Sequence, residues 1–99
     1  MNIKIHSIHF DADSKLIDFI NQKVKKLLLF YENIISSEVF LRLENVSDME
    51  NKVVEIRLEI RGNNVFAKKQ SKTFEEATDL TIEALRRQLI KHKTKIGKV

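Results

Sequence analysis

Apolar and polar residues alternate along the chain with two periods, and the switches between them mark out the elements. Residues 3–9, with Ile3, Ile5 and Ile8, read as a short first strand. Leu16, Ile20, Val24, Leu27 and Tyr31 then recur at steps of four, four, three and four. That spacing is one face of an amphipathic helix, predicted from about Ser14 to Phe30 or Tyr31. Asp13 stands where a carboxylate can accept the orphan N–H groups of its first turn. Residues 37–45 form a second predicted strand, with Val39, Leu41 and Leu43 on one side. The polar segment from Val46 to Asn51 reads as a turn. In the third strand Val54, Ile56, Leu58 and Ile60 alternate strictly with Glu55, Arg57, Glu59 and Arg61, which implies one buried and one wet face. Gly62-Asn63-Asn64 tolerates positive φ and predicts a tight hairpin into a fourth strand, Val65 to Ser71. Thr73 and Glu76 make a Thr-x-x-Glu capping signature. Beyond it the stripe Thr78, Ile82, Leu85, Leu89, His92 and Ile96 carries a long helix to about Lys95.

The order β-α-β-β-β-α constrains the architecture to an α+β fold. Strands joined by short turns pair antiparallel, and the first strand reaches the sheet only through a helical crossover. Each helix has one apolar stripe and the third strand one apolar face. Both helices therefore pack on the same side of a four-stranded sheet, and the side bearing Glu55, Arg57, Glu59 and Arg61 faces water. Ninety-nine residues suit one domain, 1–99. No proline and two glycines leave nothing that reads as a linker. No run approaches the roughly 20 apolar residues that span a bilayer. The absence of cysteine excludes disulfides, thiolate metal sites and cysteine nucleophiles. A soluble protein of a reducing, cytoplasmic compartment is expected.

Charge changes the picture further. Residues 1–65 hold nine Lys/Arg against ten Asp/Glu, whereas residues 66–99 hold nine against four. Arg86, Arg87, Lys91, Lys93, Lys95 and Lys98 follow the last carboxylate, Glu83, without an intervening acid. Cations suit a helix C-terminus, but six exceed what the dipole needs and point to a polyanion. At 100° per residue, Arg87, Lys91 and Lys95 form one row beside the apolar stripe, with Arg86 and Lys93 on its other flank. In the first helix Lys15, Lys23 and Lys26 follow one flank and Lys25 points away. Side-by-side helices would thus border a basic groove suited to RNA phosphates, with Lys68, Lys69 and Lys72 adding charge beside the start of the last helix. A solvated surface is the simpler reading for Lys4, Lys25 and Lys52.

Catalytic chemistry is not indicated. His6 and His9, three apart on a strand, face opposite ways and cannot share a metal. His92 lies on the apolar stripe, where packing or RNA proximity explains it better than a role as a base. Asp11 and Asp13 precede one helix, and Glu75, Glu76 and Asp79 open the other, where capping and the dipole account for them. Gly62 and Gly97 stand alone, so no phosphate-binding glycine loop exists. Phe30 and Tyr31 read first as core residues, with base stacking the lesser alternative. No cofactor, metal or small-molecule substrate is expected.

The ending Arg86-Arg87-Gln88-Leu89-Ile90-Lys91-His92-Lys93-Thr94-Lys95, the segment Lys23-Val24-Lys25-Lys26-Leu27 with Phe30-Tyr31, and the start Asn2-Ile3-Lys4-Ile5 resemble the short ribosome hibernation-promoting factors. That family includes ribosome-associated inhibitor A and the sigma-54 modulation proteins, and its fold is similar to double-stranded RNA-binding folds. The resemblance implies a non-enzymatic protein that docks on the small ribosomal subunit over the decoding region. There it blocks messenger and transfer RNA during stress or stationary phase. It also implies that Lys23, Lys26, Arg87, Lys91, His92, Lys93 and Lys95 face ribosomal RNA; Arg86 is a candidate from its place on the basic flank of the last helix. Lys68, Lys69 and Lys72 rest on charge alone. Long members carry a further domain that pairs ribosomes; this chain ends at Val99, so that activity is expected to be absent unless a separate ribosome-dimerising protein supplies it. Two other readings stay open: a general structured-RNA binder, and a protein-interaction regulator working through the open sheet face, Arg57 and Arg61 included. Leu28 and Leu29 stand where polar residues are common, which leaves an exposed leucine without an assigned purpose.

Overall fold

The computed structural model describes residues 2–44 and 50–97, with side chains through His92. The elements follow the predicted order: β1 (Asn2–Ser7), α1 (Ser14–Phe30), β2 (Ile34–Leu43), β3 (Lys52–Ile60), β4 (Asn63–Ser71) and α2 (Phe74–Gly97). The four strands form one sheet in the order β1-β2-β3-β4. β1 runs parallel to β2, with Asn2 opposite Ser36, and α1 is the crossover between them. The β2–β3 and β3–β4 pairs are antiparallel.

Local chemistry sets the ends of these elements. β1 stops at Ser7 rather than running to His9, because His9 adopts a left-handed backbone, φ 66°, that no strand continues. Asp13 caps α1 by accepting the Leu16 N–H at 2.8 Å. β2 begins three residues earlier than its alternation suggests, at Ile34, and accommodates the extra length with a register shift between Ile34 and Ser36. The β3–β4 hairpin is tighter than predicted. Ile60 pairs with Asn63, so the connection is Arg61-Gly62, with Gly62 at φ 84°, and Asn63 and Asn64 already belong to β4. At the start of α2 the Thr73 hydroxyl accepts the Glu76 N–H at 3.0 Å. The turn expected at Val46–Asn51 falls mainly outside the described residues.

Both helices lie on one side of the sheet, α2 over β3 and β4 and α1 beside it. Between the layers Ile20, Leu27, Leu41, Ile56, Leu58, Leu85 and Leu89 are essentially sealed from solvent. Each such side chain contributes about 2 kcal/mol of transfer free energy against its ordering cost. Thr81 fastens α2 to the sheet: its buried hydroxyl donates to Ala77 O at 2.7 Å and lies 3.3 Å from Val54 O of β3.

The far side of the sheet departs from the simple wet face of the sequence pattern. Arg57 and Glu59 are exposed there, but Glu55 is 8% exposed and Val53 1%. Arg57 Nε donates to Glu55 Oε2 at 2.8 Å, and Arg42 Nη1 lies 3.4 Å from Oε1. Burial pushes the Glu55 carboxyl up, but hydrogen bonds and charge from Arg57 and Arg42 outweigh it and hold the group below the ordinary glutamate range. Arg57 also lies 5.1 Å over the Phe40 ring, on which His6 stacks at 4.9 Å. His6 additionally bonds Glu38 at 2.9 Å.

Candidate nucleic-acid interface

The helix layer has a groove of about 660 Å³ between α1 and α2. From α1 it is lined by Lys23, Lys26, Leu27 and Phe30, a stripe at steps of three, one and three. From α2 come Asp79, Ile82, Glu83, Arg86, Arg87 and Ile90 in the matching pattern. Leu27, Phe30, Ile82 and Ile90 supply an apolar floor, and Lys23, Lys26, Arg86 and Arg87 supply cations.

The structure thus brings together Lys23, Lys26, Arg86 and Arg87 among the expected RNA-facing residues. The flank assignment in α2 needs correction. Arg86 and Arg87 were expected on opposite sides of the apolar stripe, yet both line the groove. On an ideal helix Arg86 points toward α1, and Arg87 lies on the outer surface and reaches in from there. Lys91, next in the Arg87 row, is exposed but is not a lining residue. Lys93 and Lys95 lie in the last turns of α2, where side chains fall outside the described residues. Lys15, exposed near the start of α1, takes no part in the groove. His92 is half-buried, its ring tilted against Tyr31 with centroids 6.1 Å apart.

The β4 lysines are exposed but do not line the groove. Lys68 stands opposite Glu55 and shares the open sheet face, Lys69 stands opposite core residue Val54, and Lys72 lies in the turn before α2. Their charge therefore sits at the far edge of the molecule from α1.

Two carboxylates enter the groove: Asp79, which a role at the helix start would also explain, and Glu83. Asp79 accepts Lys23 across the helix pair at 3.1 Å. Glu83 accepts Arg87 one turn on at 2.8 Å. Arg86 instead lies over Phe30, with Cζ 4.9 Å from the ring centroid. The visible signal for this site was apolar: Phe30 and Ile90 fall off the main core stripes, at positions where two helices can meet above the sheet. The paired leucines also resolve, since Leu28 is buried and Leu29 is 84% exposed on α1.

Comparison with known proteins decides the family. Residues 3–97 match the model for the sigma 54 modulation protein / S30EA ribosomal protein family. The chain belongs to this family. Among its relatives is a ribosome hibernation promoting factor of Azotobacter vinelandii, 30% identical over 96% of this chain and 85% of that protein. A ribosome hibernation promotion factor of Bacillus subtilis is 26% identical over 99% of this chain, which spans about half of that longer relative, 51%. The family fold is also seen in a ribosomal subunit interface protein from Coxiella burnetii, with TM-score 0.84 at 19% identity over 95% of this chain and 99% of that one. The N-terminal domain of Thermus thermophilus Protein Y superposes with TM-score 0.76 at 20% identity, over 89% and 94% of the two chains. These two structures thus share the fold of this chain at low identity. No helix of the described residues is long and apolar enough to cross a membrane.

Proposed function

We propose that this protein is a cytoplasmic ribosome hibernation factor that binds the small ribosomal subunit near the decoding region and keeps messenger and transfer RNA out during stress or stationary phase. The observation that carries the reading is the α1–α2 groove, where cations from both helices converge in a chain whose relatives bear the hibernation name. Lys26 and Arg86 anchor RNA from opposite walls. Lys23 and Arg87 exchange their surface carboxylates for phosphates, at small cost because exposed ion pairs are weak. His92, Lys91, Lys93 and Lys95 extend the contact toward the end of α2, and Lys68, Lys69 and Lys72 provide long-range attraction from β4.

Co-sedimentation with isolated ribosomal subunits at low and moderate salt tests this. Saturation near one copy per small subunit, surviving moderate salt, is the expected result. Equal and salt-labile binding to both subunits would identify a general structured-RNA binder, because non-specific binding rests on counterion release. The protein-interaction reading has one observation in its favour, the exposed Phe66 beside a cleft of about 460 Å³ on the open sheet. Absence of binding to either subunit would move the function there.

A further inference from the structure

We infer that the α1–α2 groove takes an unpaired guanine base of the bound RNA, with Glu83 reading its donor edge and Arg86, held over Phe30, supplying the stacking plane. This rests on the RNA-binding reading of the same groove and names what the groove selects.

A channel built only for phosphates has no use for carboxylates or for an apolar floor. This groove has both. Asp79 and Glu83 offset two of its four cations, through the 3.1 Å pair with Lys23 and the 2.8 Å pair with Arg87. A carboxylate repels a phosphate but accepts N–H donors strongly. Phe30 and Ile90 offer nothing to an anion, but with the Arg86 guanidinium over the Phe30 ring they make a suitable wall for the face of a base. RNA bases that leave the helical stack are bound in this way, on aromatic rings or guanidinium planes and by hydrogen bonds to their edges. The volume of about 660 Å³ suits a nucleotide.

The identity of the base follows from donor counting. Guanine places an N1–H and a 2-amino group side by side on its Watson–Crick edge, matching the two oxygens of a carboxylate. Adenine and cytosine offer one amino group there, and uracil one ring N–H. Glu83 is better placed than Asp79 because it stands three residues before Arg86, so the two side chains share a helix face about 5–6 Å apart. A base stacked on Arg86 thus turns its edge toward Glu83. Asp79 is a turn further away and spans to α1. Arg87 donates to Glu83 Oε1 at 2.8 Å; when it turns to a phosphate, both carboxylate oxygens are left for the base.

The test is fluorescence anisotropy of the full chain with hexauridylate and with variants carrying one central guanosine, inosine or adenosine. The expected result is roughly tenfold tighter binding of the guanosine oligonucleotide than of hexauridylate, the scale of a bidentate base contact. Inosine, which lacks the 2-amino group, forfeits most of that gain. Glu83→Gln should bind hexauridylate more tightly, having lost a repulsive charge, yet lose the guanosine preference. Glu83 is exposed, so this variant keeps the fold, and an unchanged melting curve checks it. Phe30→Leu should weaken the guanosine oligonucleotide most. Equal affinity of the wild-type chain for the four oligonucleotides, or binding to none, overturns the inference. So does a Glu83→Gln variant that gains equally on all four. Guanosine preference without small-subunit co-sedimentation would refute the ribosomal reading alone; co-sedimentation without the preference would refute the base-reading alone.

Discussion

The two broad faces of this molecule use the same residue types for different ends. In the helix groove, arginines, lysines and carboxylates sit on long exposed side chains. The Arg87–Glu83 pair is 73% and 61% exposed, and the Lys23–Asp79 pair 33% and 53%. Such pairs are worth well under ~1 kcal/mol and can be traded for an external partner. On the open sheet, the Glu55 side chain is only 10% exposed and is gripped by Arg42 and Arg57, while Arg57 also covers Phe40. There the ionic contacts are shielded and hold the sheet face together. Burial, not the number of charges, separates a surface whose ion pairs can be exchanged from one that braces.

The sharpest way to break this comparison is to reverse the groove charges. Lys26→Glu with Arg86→Glu and Arg87→Glu should weaken small-subunit binding by roughly a hundredfold or more, since each lost phosphate contact also removes counterion release. Thermal unfolding should barely move, because those side chains are exposed. A large fall in melting temperature would show that the groove braces too.

Next in size is the converse change. Glu55→Ala should cost about 1 kcal/mol of stability, because it removes a shielded carboxylate that bonds both Arg42 and Arg57, although Arg57, 61% exposed, stays hydrated. Co-sedimentation with small subunits should be retained at temperatures where the variant is folded. Loss of binding from this change would place RNA on the sheet face instead.

Acid sharpens the same contrast. The folded-state Glu55 carboxyl titrates below its unfolded value, so its stabilisation is fully present above the ordinary glutamate pKa of about 4.3 and is lost as pH falls through the lower folded value. The stability gap between wild type and Glu55→Gln, followed by denaturant unfolding, should be constant from neutral pH to about pH 5 and close below pH 4. A gap that ignores pH would mean the carboxylate charge contributes nothing.

The smallest effect belongs to the sheet's edge. Gln88 Nε2 donates to the Phe66 carbonyl at 2.8 Å, so α2 covers an outward backbone acceptor of edge strand β4. Gln88→Ala should cost less than ~1 kcal/mol and raise self-association at high concentration, measurable by sedimentation velocity.

Much of this was legible locally. The caps at Asp13 and Thr73, the glycine at position 62 and the apolar core face of β3 each depend on residues a few positions apart, and the structure repeats them. The basic character of the last helix was equally plain. Misreadings came where two elements meet. Ile90 lies off the core stripe of α2, yet it helps floor the groove. Glu55 looked like one more wet-face residue, yet neighbours on β2 and β3 close over it. Among the described residues nothing gives Leu29 a packing role.

The elements, their order, the core stripe of each and the uneven charge follow from the residues alone, because periodicity and capping are properties of a single strand or helix. That Arg86 and Arg87 share one groove, that Asp79 and Glu83 enter it and that Glu55 is enclosed comes from the folded arrangement. Those outcomes depend on how α1 and α2 lie against each other and on which side chains stand opposite across β2 and β3. Such distances are fixed by packing of the whole core, and no local pattern carries them.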